Sequence, residues 1–361
     1  MDSGDAQGAR MWALVGEKAG DNAQVLALAQ AVGIPFEKKR IRYNGRRMLP
    51  NWLLGATLTT TSAVSRPQIA PPWPDIVVAS GQRSVPVARK IKRESGGRTR
   101  IVQIGRPRAP LNWFDLVVTT PQYGLPPRDN VVHHDLPFQG ERDRDVGSEW
   151  NATLPPGEPH IGLLVGGDIG PYRFDPHTID ALAEGALALC TARNARLVVT
   201  SGRRLPVAAR NRLRDATREN CAVFHAVEDD GANPYAAILA RADEFVVTTD
   251  SVSMIADAVG AGRPLHLFSP SLSPPISWRL IDGLARLVGA VCPRGLHDAL
   301  VARGLVIPPR RTELVATTLV ANGDAAWLGD EPPEKPTDAS DRAATHASLL
   351  ERIRALGHGS S

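Results

Sequence analysis

Three stretches in the second half of the chain end short apolar runs with hydroxyls, glycines and guanidinium groups, a mixture suited to holding phosphate. The most informative is Thr248-Thr249-Asp250-Ser251-Val252-Ser253-Met254-Ile255-Ala256-Asp257, a strand pattern that runs straight into a helical one. Ser251 and Ser253 fall in the first helical turn, where hydroxyls and free backbone N–H groups can both bond a diphosphate. Asp257, about a turn and a half further on, is placed to accept bonds from a ribose hydroxyl pair. Asp250 or Ser251 could equally serve as a plain helix cap. Gly166-Gly167-Asp168-Ile169-Gly170 ends another apolar run and allows close approach of backbone to phosphate, although it lacks the GxGxxG spacing. Thr200-Ser201-Gly202-Arg203-Arg204 offers a hydroxyl, Ser201, beside two guanidinium groups that can fork onto phosphate or form a solvated turn. Asn233-Pro234-Tyr235 follows the acidic loop Glu228-Asp229-Asp230. Asn233 and Tyr235 could face a base or sugar, or simply open a proline-initiated helix.

The first half carries candidates for proton transfer. Gly16-Glu17-Lys18-Ala19-Gly20-Asp21-Asn22 fills the first strand-to-helix turn, and Glu17 or Asp21 could act as general base on a hydroxyl. Asp21 could instead be the helix N-cap, with Gln24 completing a capping box. His133-His134-Asp135 offers a second base, and only one of two adjacent strand histidines, taken as His134, can face a given side. Arg83 and Arg106 close two more apolar runs and could bind an anion or belong to a general basic surface. The run from Arg46 to Leu54, RRMLPNWLL, sets positive charge beside apolar and aromatic bulk. That mixture suits an anionic membrane boundary, or a core segment with a charged edge.

Parallel sheets with crossover helices would position these residues. Apolar runs at 11–16, 75–80, 100–105 and 114–120, then at 160–167, 196–201, 244–250 and 264–269, alternate with helical periodicity. Asp175-Pro176 supplies an N-cap and first-turn proline ahead of Ile179, Leu182, Ala183, Ala186 and Leu189. The fold class is therefore α/β, with two Rossmann-like domains at 1–145 and 160–328 joined by a polar linker at 146–159. A terminal helix at 341–356 follows, expected to return to the first domain.

At 361 residues the chain can form two ordinary cores, and 43% hydrophobic with 22% charged residues excludes a disordered or fibrous protein. A polar start and the lack of any membrane-length apolar run predict a cytoplasmic protein, peripheral at most on the inner face of a membrane. Cys190, Cys221 and Cys292 have no metal or disulfide spacing, and no metal site is expected. Residues 36–110 hold 16 basic against 3 acidic residues, which implies a negatively charged partner. Nucleic acid is a poor fit, since stacking aromatics are not interleaved with the basic residues.

The strings ASGQRSVPVAR (79–89), TTPQYGLP (119–126), GGDIGPYRF (166–174), TSGRR (200–204), NPY (233–235) and TDSVSMIADA (249–258) resemble the family of the plant mitochondrial-fission protein of elongated mitochondria. GEKAGD (16–21) more distantly resembles the opening loop of lipid A disaccharide synthase. The resemblance implies the GT-B architecture, two Rossmann-like domains facing across a cleft. It further implies a nucleoside diphosphate sugar, UDP favoured, as donor substrate with no cofactor, and a cell-envelope glycolipid or polysaccharide as acceptor. A nucleotide-sugar 2-epimerase, or a non-enzymatic adaptor recruited to membranes, remains an alternative. Related transferases carry Glu for the ribose, where this chain has the shorter Asp257.

Overall fold

The computed structural model describes residues 9–140, 154, 157–226, 233–332 and 339–358. The chain divides into two compact units: Met1–Gly140 with Gly283–Pro309 and Ser340–Ser361, and Glu141–Asp282 with Arg310–Ala339.

The first unit is built on a six-stranded parallel sheet of β1 (Met11–Val15), β2 (Phe36–Arg40), β3 (Ile76–Ser80), β4 (Arg100–Ile104), β5 (Leu116–Thr119) and β6 (Val131–His133), in the order β2-β1-β3-β4-β5-β6. Helices α1 (Ala19–Val32), α2 (Asn51–Leu54) and α3 (Val85–Glu94) connect its early strands. The inner strands are apolar on both faces because both faces are covered, and Met11, Ile76, Val78 and Val102 pack under α1 while Trp12, Val77 and Ile101 pack on the opposite side.

The second unit repeats the plan with β7 (His160–Val165), β9 (Arg196–Ser201), β10 (Cys221–Ala226), β11 (Glu244–Thr248), β12 (Leu265–Phe268) and β14 (Ala326–Trp327), in the order β10-β9-β7-β11-β12-β14. A small antiparallel pair joins β8 (Tyr172–Arg173) to β13 (Ser271–Leu272). Its helices are α4 (Pro176–Arg193), α5 (Val207–Thr217), α6 (Tyr235–Arg241), α7 (Val252–Ala261) and α10 (Glu313–Ala321). The Asp175 carboxylate accepts the Thr178 N–H at 2.8 Å, and Pro176 opens α4, as the sequence predicts.

In each sheet the chain starts in the middle, winds to one edge, and then returns to wind to the other. That reversal makes a topological switch point between β1 and β3, and another between β7 and β11. Loops at the carboxyl ends of such a strand pair diverge, leaving a crevice where ligands bind in open α/β sheets.

Two expectations need correction. The boundary at 328 is too simple, because from Gly283, within α8 (Ile276–Val291), the chain belongs to the first unit through α9 (Arg294–Ala302) as far as Pro309 before re-entering the second. Val301 and Ala302 are buried in the first unit's core, and Gly304 approaches Ala109 so closely that a Cβ there would lie 2.9 Å from its carbonyl carbon. Helix α1 begins at Ala19 with Lys18 as its N-cap, so Asp21 stands inside the first turn and forms no capping box with Gln24. The linker assigned to 146–159 lies mostly outside the described residues. The terminal helix α11 (Ala339–His358) buries Leu349 and Ile353 in the first unit, and Arg354 donates to the Val32 carbonyl at the end of α1.

Candidate functional site

In the second unit the residues picked from the sequence converge on the switch point between β7 and β11. Asp250, one residue before the helix-opening Ser251, is 1% exposed and holds three loops at once. One carboxylate oxygen accepts the Gly167 N–H at 2.9 Å and an Arg204 guanidinium N–H at 3.3 Å; the other accepts the Thr248 hydroxyl at 2.7 Å. The Thr248 hydroxyl in turn accepts the Gly166 N–H at 2.9 Å. Burial pushes the Asp250 carboxyl up to about 6, against the pull of these hydrogen bonds and of Arg204.

The two glycines are required by this packing. A Cβ on Gly166 would lie 2.0 Å from the Asp250 Oδ2, and one on Gly167, whose φ is +149°, would lie 2.2 Å from the Arg204 carbonyl carbon. Gly202 completes the fit by donating to the Val165 carbonyl at 2.8 Å. The result is a rigid junction of the turns after β7, β9 and β11, set against the amino terminus of α7.

At that terminus Ser251 is half-buried and Ser253 exposed, and Ser251 makes no side-chain cap bond. Both hydroxyls therefore lie at the start of α7 beside its first-turn N–H groups. Arg203 and Arg204 are exposed beside them. One and a half turns along α7, Asp257 is buried and accepts the Tyr235 hydroxyl, which joins two of the residues assigned to the nucleoside. Asn233, just ahead of the N-cap Pro234 of α6, accepts the Tyr235 N–H at 2.9 Å. The acidic loop Glu228-Asp229-Asp230 lies outside the described residues.

Three assignments change in kind. Asp250 is a structural tie rather than a ligand contact. Ser201 is 1% exposed at the end of β9, with no hydroxyl partner among the described residues, so it lines the interior of the junction. Asp168 accepts the Phe174 N–H at 2.9 Å and so shapes the loop toward β8.

The first unit has a comparable cluster at its own switch point. The turn after β1 is clasped by Asn22, whose side chain accepts the Gly16 N–H at 2.7 Å and donates to the Gly16 carbonyl at 2.9 Å. This holds Glu17 outward, where Arg83 from the turn after β3 pairs with it at 3.4 Å. Asp21 lies 3.5 Å from where a Cβ of Gly81 would stand. Tyr43, just beyond β2, packs against Gly16 between these groups, and burial pushes its phenol above the ordinary range, with Arg83 opposing and Glu17 and Asp21 reinforcing the shift. Nothing in the sequence singles out Tyr43, because the charged strand FEKKR before it does not look like a strand.

His134 and Arg106 do not join this cluster. Four strand-to-strand steps separate β1 from β6, about 19 Å at the usual spacing, so His134 cannot share a reacting atom with Glu17 or Asp21. Its ring instead packs 5.0 Å from Phe138 and 6.3 Å from His346 of α11. Burial, with a smaller contribution from His346, pulls its pKa down to about 4. Arg106 donates to the Pro308 carbonyl and its guanidinium lies 5.7 Å from the Tyr123 ring centre, which commits it to holding residues 304–308 on the first unit.

The stretch from Arg46 to Leu54 is a surface feature, not core: Met48, Leu49, Trp52 and Leu53 are all exposed. Asn51 is buried, donating to the Gln82 and Pro107 carbonyls at 3.0 and 2.9 Å and so pinning the short α2 to the turns after β3 and β4. Among the described residues no cluster of His, Cys, Asp and Glu has the makings of a metal site.

Two Rossmann-like α/β domains, each with polar and charged side chains gathered at its switch point, define the class of this protein. The family model described as mitochondrial fission ELM1 matches residues 19–321, and the chain belongs to that family. It is 22% identical over 302 residues to an uncharacterized protein of Rickettsia prowazekii, a match covering 72% of this chain and 83% of the relative. It is 28% identical over 227 residues to the mitochondrial fission protein ELM1 of Arabidopsis thaliana, covering 54% of this chain and about half, 51%, of the plant protein. Among solved structures, the UDP-GlcNAc 2-epimerase of Methanocaldococcus jannaschii aligns over 95% of this chain and 99% of its own, with 10% identity and a TM-score of 0.48.

Proposed function

We propose that this chain is a glycosyltransferase that takes a sugar from a nucleoside diphosphate sugar, UDP favoured, and transfers it to a glycolipid or polysaccharide of the cell envelope. The observation that carries this reading is the junction at the second switch point. There the buried Asp250 fixes a Gly-Gly turn and an arginine loop against a helix start whose serine hydroxyls face outward. In this reading the diphosphate is held by the α7 amino terminus, Ser251, Ser253, Arg203 and Arg204, and the nucleoside lies toward Tyr235 and Asp257. Helix N–H groups and guanidinium groups together offset the charge that grows on the leaving diphosphate, the task that a metal ion performs elsewhere. The acceptor is assigned to the basic first unit, with Glu17 or Asp21 taking its hydroxyl proton as the oxygen attacks the anomeric carbon. The exposed Met48, Trp52 and Leu53 beside Arg46 suit a lipid-linked acceptor at an anionic surface.

The test is a calorimetric titration with UDP, GDP, ADP and CMP, with and without magnesium. Binding of one nucleoside diphosphate that survives chelator supports the donor site. Binding of none of them removes it. Family membership favours a second reading, in which the fold serves recruitment to a membrane without catalysis, and the absence of both nucleotide binding and turnover would support that reading. NMR of a UDP-sugar incubated without acceptor distinguishes transfer from 2-epimerisation.

A further inference from the structure

Between β2 and β3 the chain leaves the first unit's sheet for residues 41–75, and local hydrogen bonds hold this excursion in shape. The Asn44 side chain accepts the Arg46 N–H at 3.0 Å, which starts the 3-10 turn Gly45–Met48, and donates to the Thr59 and Thr61 carbonyls at 2.8 and 3.1 Å. Asn51 then ties α2 to the turns after β3 and β4. Within that frame α2 turns the polar Asn51 inward and its apolar Trp52 and Leu53 outward. Met48, Leu49, Trp52 and Leu53 are exposed by 75%, 45%, 66% and 59%, four apolar side chains within residues 48–53.

Charge indicates what meets them. Between Glu37 and Asp75 the sequence holds seven Lys and Arg and no acid. Lys39 is committed to Glu37 at 2.6 Å and to the Trp12 ring, whereas Arg42, Arg46 and Arg66 are exposed. The acids of the turn after β1 are engaged as well, Glu17 with Arg83 at 3.4 Å and Asp21 with Lys18 at 3.8 Å. Two copies meeting through this surface would set arginine against arginine, with no acid in the segment to relieve them. An anionic lipid surface accepts both features: the acyl boundary takes the apolar side chains, the indole suits headgroup level, and the phosphates attract the guanidinium groups.

We propose that residues 46–53 form the surface by which the first unit docks on an anionic bilayer, with Met48, Trp52 and Leu53 at the acyl boundary and the basic segment around Arg46 at the headgroups. The docking stands without any nucleotide site. Its use in catalysis rests on the transferase reading: Asn51 holds the Gln82 carbonyl, and Arg83, next in the chain, pairs with Glu17, so a lipid-linked acceptor entering here arrives beside the turn assigned to the base.

The full chain is to be co-sedimented with vesicles of phosphatidylglycerol and phosphatidylcholine in equal parts, and with phosphatidylcholine alone. The anionic vesicles should be bound at least about tenfold more tightly, and the gap should shrink at high salt. Trp52→Glu with Leu53→Glu should reduce that binding about tenfold or more, and Trp52→Ala with Leu53→Ala should reduce it less, both with unchanged circular dichroism because the replaced side chains lie at the surface. Arg42→Glu with Arg46→Glu should abolish the preference for anionic vesicles. Brominated phosphatidylcholine in the anionic vesicles should quench the tryptophan fluorescence of the parent more than that of Trp52→Phe, a sign of insertion that folding alone does not produce. The proposal is overturned if the parent ignores anionic vesicles, or if both pairs of Trp52 and Leu53 substitutions bind like the parent. A parent dimer that the Glu substitutions turn into a monomer in light scattering, with no vesicle binding, would assign the surface to a second copy and overturn it too. Vesicle binding without nucleotide binding would remove the transferase reading and leave the docking, and nucleotide binding without vesicle binding would do the reverse.

Discussion

Asp250 accepts the Gly167 N–H at 2.9 Å across the junction of β7 and β11, and every loop assigned to the phosphates is held through that carboxylate or its neighbours. A ligand group and a structural group make opposite demands on an acid, one needing access and the other exclusion of water. Asp250 is buried, and its raised pKa is the electrostatic cost of that position.

The cost gives a pH dependence whose sign follows from linkage. The folded-state pKa of Asp250, about 6, exceeds the ordinary aspartate value of 3.8, so folding favours its protonated form. The stability from this group is fully present below about pH 3.8 and is lost as pH rises through 6, a difference on the order of 3 kcal/mol. Asp250→Asn cannot ionise. The melting temperature of the parent relative to this variant should therefore fall between pH 4 and pH 7; a constant gap would show that Asp250 is not desolvated as the structure has it.

Gly166→Ala should destabilise the protein by about 2–4 kcal/mol, because the added methyl would occupy the place of the Asp250 carboxylate and force the junction apart. Urea denaturation measures this directly. A loss under about 0.5 kcal/mol would mean that the turn after β7 can move freely, contrary to its role as a fixed cradle.

What the sequence made legible, and what it hid, follow from burial. The inner strands β1, β3, β4, β7, β9 and β11 are covered on both faces, so they read as mostly apolar runs. The edge strands do not: β2 is FEKKR with three of five residues exposed, and its period is masked by charge. Missing β2 meant missing Tyr43 at its end, and with it the centre of the first unit's cluster. Gly166, Gly167 and Asp250 were recognised by type, yet Asp250's role turned on a burial that no spacing reveals. The return of residues 283–309 to the first unit was likewise hidden, since Val301 and Ala302 look the same whichever core they enter.

Ser251→Ala with Ser253→Ala should weaken nucleoside diphosphate binding at least about tenfold while leaving the fold intact, since neither hydroxyl supports the junction. The two arginines should separate. Arg203→Ala should lower affinity alone, whereas Arg204→Ala should also lower the melting temperature, because it removes the charge paired with Asp250 at 3.3 Å. Unchanged affinity in the serine variant would remove the α7 amino terminus from the site.

His134 should matter for acid stability and not for turnover. Its pKa is lowered to about 4 by burial beside Phe138, so its contribution is fully present above about 6.5 and is lost as pH falls toward 4. His134→Phe keeps an aromatic ring in place and should raise the melting temperature relative to the parent as pH drops through that window. A large fall in turnover at pH 7 for this variant would restore His134 as a candidate base.

Glu17 is the stronger base candidate, because Asn22 fixes the turn that carries it and Arg83 orients its carboxylate from across the switch point at 3.4 Å. Glu17→Gln keeps the shape and an acceptor oxygen but cannot take a proton. If Glu17 is the base, turnover should drop about a hundredfold or more, the range for loss of a general base, while nucleotide affinity in the other unit stays constant. Asp21→Asn makes the comparison, since Asp21 shares the turn and pairs with the exposed Lys18 at 3.8 Å. Full turnover in Glu17→Gln with loss in Asp21→Asn would transfer the role to Asp21. Full turnover in both would place the base outside this turn, and Arg83 with Glu17 would then serve only to close the β1–β3 crevice.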